Sequence, residues 1–111
     1  MSIPDEYKDL VNRLILATRE GRVTWQEPFD NRGVFEAKMK AGSMRMRTCV
    51  TDLDDAAIEF AVIDHFGKEL HAFNVGETDK DFKIMSALYD GAVFKARGVD
   101  KMLKGLSDEL G

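Results

Sequence analysis

The chain has 111 residues, 44% hydrophobic and 32% charged, with a formal net charge of −4. That length fits one domain, residues 1–111, able to bury roughly two-thirds of its unfolded surface. The acidic balance argues against general nucleic-acid binding, which needs an excess of Lys and Arg over phosphates, and no apolar run approaches the roughly 20 residues that span a bilayer.

Cys49 is the single cysteine and cannot form an intrachain disulfide, so a reducing, cytoplasmic location is expected. The N-terminal stretch MSIPDEYKDL lacks the charged-then-apolar layout of a signal peptide.

Along the chain, Tyr7, Leu10, Val11, Leu14, Ile15 and Thr18 recur at helical spacing, with charged residues opposite. Ser2 or Asp5 can cap this first helix, and Gly21 suits a left-handed C-terminal cap. Val23 and Trp25 alternate with polar neighbours and predict a short strand, ended or confined to a sheet edge by Pro28.

The segment Gly33 to Thr51 alternates strictly on both sides of a turn placed at Ala41-Gly42. Phe35, Ala37, Met39, Met44, Met46, Thr48 and Val50 point to one face; Glu36, Lys38, Lys40, Arg45, Arg47 and Cys49 point to the other. A further strand carries Ile58, Phe60 and Val62, and a last one runs from Leu70 to Asn74 after the turn Asp64-His65-Phe66-Gly67. Connections this short exclude parallel crossovers and predict an antiparallel meander of about five strands.

Thr78 or Asp79 is expected to cap a long C-terminal helix with Phe82, Met85, Tyr89, Ala92, Val93 and Ala96 as its main stripe. Gly98 breaks it, and Asp100 starts a shorter terminal helix carrying Met102, Leu103, Leu106 and Leu110. The fold class is α+β.

Four groups of residues can be weighed for chemistry. Lys38, Lys40, Arg45 and Arg47 form a cationic row able to meet an anionic ligand or acidic partner, although a solvated hairpin face has the same pattern and Glu59 can cancel part of its field. Asp52, Asp54 and Asp55 lack the glycine and distal glutamate of a calcium loop and read as a turn. His65 and His71 flank one hairpin without metal-ligand spacing. Cys49 lies near Arg47, which can lower a thiol pKa, but no histidine can be placed beside it. Neither a catalytic set, a cofactor nor a metal is therefore expected.

Counting parity along the later strands places Ala61, Ile63 and Phe73 with Glu59 and His71, opposite Ile58, Phe60 and Val62. With Trp25 they make a candidate association patch for a homodimer or another protein partner, provided the helices cover only the other face.

Leu14 through Ala17-Thr18, then Gly21, Val23 and Trp25, Asp64-x-x-Gly67, Leu88-Tyr89 and Gly98-Val99-Asp100 together resemble small uncharacterised bacterial proteins. The resemblance implies an α+β meander with flanking helices and brings no catalytic residues with it. The expectation for function is a non-enzymatic interaction module that associates with itself through the sheet. The alternative is a binder of an anionic partner through the cationic row.

Overall fold

The computed structural model describes residues 2–111. Helix α1 (Asp5–Arg19) is followed by strands β1 (Val34–Lys38), β2 (Ser43–Val50), β3 (Ala56–Ile63) and β4 (Glu69–Gly76), then helices α2 (Phe82–Ala96) and α3 (Val99–Glu109). The strands form one antiparallel meander in sequence order. The α+β class is as expected, with four strands rather than about five.

The expected Val23–Trp25 strand is the difference. The residues from Arg22 to Gly33 form a loop that pairs with β1 through an isolated bridge between Gln26 and Glu36, with both N–H···O distances 2.8 Å. Two residues on, Pro28 has no N–H to continue a ladder. On the other side Trp25 turns inward, 3% exposed, and its indole N–H donates to Thr18 Oγ1 at 2.9 Å. A residue drawn into the helix layer cannot also extend the sheet edge.

The hairpin reading holds with its turn moved by one residue. Met39 and Gly42 exchange backbone hydrogen bonds, leaving Lys40 and Ala41 as the two-residue loop. Gly42 is needed here because a Cβ would clash with the Ile63 carbonyl oxygen of the neighbouring strand. Lys40 therefore lies in the turn, off the cationic face of the sheet.

Phe35, Met46, Phe60 and Phe73 stand in register across all four strands and form one apolar row. Val11 and Leu14 of α1 and Met85 and Leu88 of α2 join that row in a single core, so both helices lie on this face of the sheet. Burying each such side chain stabilises the fold by about 1.5–3 kcal/mol.

This register corrects the parity assumed for β4. Phe60 pairs with Phe73 and Val62 with His71, so even-numbered residues of β3 share a face with odd-numbered residues of β4. Strand parity does not carry across a turn, whose length sets the register afresh. Phe73 is a core residue at 5% exposure, and His71 lies on the helix-covered side, where Tyr7 stacks on it with ring centroids 5.6 Å apart.

The helix ends also differ from expectation. Pro4, not Ser2 or Asp5, occupies the N-cap of α1, and Asp81, not Thr78 or Asp79, that of α2; neither makes a side-chain capping bond. Asp79 instead accepts the Ser2 hydroxyl and the Asp81 N–H, while the Asp81 carboxylate accepts the Ile3 N–H at 3.0 Å. These carboxylates tie the N-terminal segment to the start of α2. Gly21 does end α1, with Gly21 N–H on the Thr18 carbonyl and Arg22 N–H on that of Ala17, the two bonds of a Schellman cap.

Gly98, in the left-handed conformation at φ 68°, separates α2 from α3 and is the N-cap of α3 in place of Asp100. Asp100 reaches back to Lys95 Nζ at 3.0 Å. Beyond that junction α3 leaves the body of the fold and buries none of its residues. The radius of gyration, 14.9 Å, exceeds the roughly 13 Å of a compact chain this long.

Candidate functional site

Three surfaces carry the residues of interest. The first is the face of the sheet away from α1 and α2. Its central row runs Val34, Arg47, Glu59, Asn74, and the next runs Glu36, Arg45, Ala61, Ala72. Strand register thus places Glu59 directly opposite Arg47. Arg47 Nε meets Glu59 Oε1 at 3.0 Å, Arg45 Nη2 lies 3.9 Å from the same carboxylate oxygen, and Arg45 also pairs with Glu69. Half of the expected cationic row is therefore engaged by carboxylates within the sheet. Among the described residues, Lys38 and Lys40 make no ion pair, and they stand at the hairpin end.

The expected association patch does not form on this face. Phe73 and Trp25 are in the core, and Ala61 is fully buried between Arg45 and Ala72 in register. Ile63 alone of the four stays partly open, beside Ser43 at the turn end of the sheet.

Cys49 is half-buried on the same face, opposite Ala57. Burial pushes its thiol pKa up, Glu59 adds to the rise, and the opposing pull of Arg47 is outweighed. A thiol held in its neutral form is a poor nucleophile. His65 lies two residues beyond Ile63, and Ile63, at the far end of β3, is itself six residues and roughly 20 Å from Ala57 along the strand; His71 is on the other face with Tyr7 Oη 2.9 Å from its Nδ1. The structure does not bring these three side chains together. In the turn after β2, the Thr51 hydroxyl accepts the N–H groups of Leu53 and Asp55, and Asp54 takes a positive φ of 61°. That is a turn built by its own hydrogen bonds. Among the described residues no group of three His, Cys, Asp or Glu side chains is placed to hold a metal ion.

The second surface is a latch at the C-terminal end of α2. Arg97 donates twice to Glu27, at 3.0 and 2.9 Å, and its guanidinium carbon stands 5.5 Å from the centroid of the buried Phe35 ring. Glu27 also accepts the Gly33 N–H, and Tyr89 Oη donates to the Gly33 carbonyl at 3.0 Å. The Arg97 bonds first, and the Gly33 N–H second, pull the Glu27 pKa down from 4.5 to about 2. The latch fixes the loop from Arg22 to Gly33 against α2 and orients the helix end from which α3 departs.

The third surface comprises α3 and a groove between α1 and α2. The groove, about 390 Å³, is floored by Ile15, Thr18, Leu88 and Gly91 and edged by Phe94, with Arg19 and Asp90 at its rim. It exists because the helices approach closely at Gly91, where a Cβ would meet Thr18 Cγ2 at 3.4 Å. Met102, Leu103, Leu106 and Leu110 lie on one stripe of α3 and are 63%, 52%, 50% and 90% exposed. Their helical spacing was visible as an amphipathic pattern, but the groove was not. Its one local signal is Gly91 inside an otherwise apolar helix, where glycine costs about 1 kcal/mol relative to alanine and asks for a packing reason.

Compared with protein-family models, curated proteins and solved structures, the chain matches none, which accords with its likeness to proteins without an assigned activity.

Proposed function

We propose that this chain is a non-enzymatic protein-interaction module whose recognition element is α3. The observation that carries the reading is the apolar stripe of Met102, Leu103, Leu106 and Leu110, half or more exposed on a helix that buries none of its residues. Soluble proteins rarely leave a contiguous apolar patch of several hundred Å² without a partner, and an amphipathic helix laid in a groove is a recurrent recognition mode. The separation of Cys49, His65 and His71 supports the non-enzymatic side of the reading. A lone free thiol supports a reducing, cytoplasmic setting.

The test is a photo-activated cross-linker at Leu106 of the full chain, expressed in cells, with the same group at Asp52 in the remote turn as control. Protein adducts specific to the Leu106 probe are expected. Equal labelling from both positions would overturn the reading.

A further inference from the structure

We propose that the occupant of the α1–α2 groove is α3 of a second copy of this chain, the two copies exchanging their C-terminal helices about a two-fold axis. The inference rests on the interaction reading above and names its partner.

Complementary apolar surfaces are the first argument. The stripe of α3 needs an apolar seat, and the groove offers one in Ile15, Leu88 and Phe94, with Gly91 admitting close approach. An 11-residue helix is about 16 Å long, so its exposed side spans three turns with an apolar residue on each.

The second argument is why α3 does not fill the groove of its own chain. Only Arg97 and Gly98 join α2 to α3. Arg97 is held by Glu27 on one side of the junction, and Lys95 is tied to Asp100 across it. A short connection pinned at both ends fixes the path of α3, and none of its residues lines the groove of its own chain.

Area is the third. Four half-to-fully exposed side chains present roughly 400 Å² of apolar surface, within the range of patches that mark association. Two exchanged helices engage two such stripes at once, roughly 800 Å² of apolar helix surface together. A reciprocal contact closes the pair and leaves no sticky end.

Charge agrees as well. The groove rim carries exposed Arg19 and Asp90, and α3 carries exposed Lys101 and Lys104 towards its start and Asp108 and Glu109 at its end; among the described residues none of the six is in an ion pair within the chain. Arg19 can receive the acidic end of the incoming helix and its dipole, while Asp90 can receive the lysines.

The experiment uses the full chain. Light scattering over a concentration series is expected to show the 12.5 kDa chain converting to twice that mass, and Leu103→Asp/Leu106→Asp to remain at single mass throughout. Both side chains are about half exposed on a helix that buries none of its residues, so circular dichroism of that variant should match the parent. Geometry is read by mixing Cys49→Ser/Ala87→Cys, Ala87 being on the wall of the groove, with Cys49→Ser/Leu106→Cys under mild oxidation. A disulfide between the two different variants is the expected product. A predominant Leu106→Cys homodimer would mean stripe-to-stripe pairing and would overturn the groove assignment. A single-mass species at every concentration would overturn the second-copy assignment, while Leu106 adducts to other proteins would then leave the broader interaction reading standing.

Discussion

The indole N–H of Trp25 donates to Thr18 Oγ1 at 2.9 Å, and both residues are buried. Thr18 thereby joins the loop after α1 to the helix itself, and its Cγ2 faces Gly91 on α2. One side chain sets the seat of the tryptophan and the floor of the groove.

Thr18→Val keeps the shape and removes the acceptor. A buried indole N–H without a partner costs about 1–3 kcal/mol, so the free energy of unfolding should fall by that amount. In a Trp25→Phe background the same change should cost distinctly less, because no donor remains to be stranded. Equal costs in both backgrounds, measured by urea unfolding followed by circular dichroism, would show that the hydrogen bond contributes nothing specific.

Trp25 also shows what could be read from the chain and what could not. The Phe35–Val50 hairpin was legible because alternation at period two is a local property, and Phe35, Ala37, Met44 and Met46 do share the buried face. Alternation at Val23 and Trp25 looked the same, yet both residues point to the core from a loop, since depth of burial alone can imitate a strand over three residues. Phe73 was misplaced for a different reason: the register of β4 is set by the turn and the irregularity between Val62 and Ile63, neither of which appears in side-chain parity. The stripe of α3 was legible as a stripe. Whether anything covers it depends on the backbone path at Gly98 and Arg97, which the residues of α3 do not encode.

The Glu27–Arg97 latch makes a prediction in acid. The folded-state pKa of Glu27, about 2, lies below its ordinary 4.5. Such a group adds stability that is fully present above about pH 4.5 and is lost as pH falls towards 2, because protonation is easier in the unfolded chain. Asp79 and Asp100 are also lowered, by hydrogen bonds from the Asp81 N–H and Lys95 respectively, and act in the same direction. Glu27→Gln should therefore be less stable than the parent at pH 7, and the gap should close between pH 4.5 and 2. A gap that stays constant across that window would remove the ion pair as its cause.

For Cys49 the expected outcome is slow chemistry. Burial, and after it Glu59, raise the thiol pKa above its ordinary value, so the thiolate is a small minority at neutral pH. Alkylation by iodoacetamide at pH 7 should be several-fold slower than that of a free small thiol, with a rate midpoint at higher pH than the free thiol's. Glu59→Gln should lower that midpoint. Reaction faster than the free thiol would reveal an activated cysteine.

Glu59 decides how cationic the open sheet face is. Its carboxylate contacts Arg47 and lies within 3.9 Å of Arg45, and its side chain is only 18% exposed against 50% for Arg47. Exposed pairs of this kind contribute about 0.2–1 kcal/mol to stability, so Glu59→Gln should fold with a loss of about that size. Its effect on the surface should be larger, since the neutral amide leaves Arg47 one acceptor oxygen in place of two and no opposing charge, while Arg45 keeps Glu69 as its carboxylate partner. The parent protein should bind weakly to heparin at low salt, and Glu59→Gln should elute later, with the gain suppressed as salt rises. Asp52→Asn removes the same formal charge from the remote turn and should shift elution little. If Asp52→Asn moved it as far as Glu59→Gln, retention would track total charge alone. Strong retention of the parent that is lost in Lys38→Glu/Lys40→Glu would instead make the hairpin lysines an anion-recognition surface, independent of the carboxylates that neutralise Arg45 and Arg47.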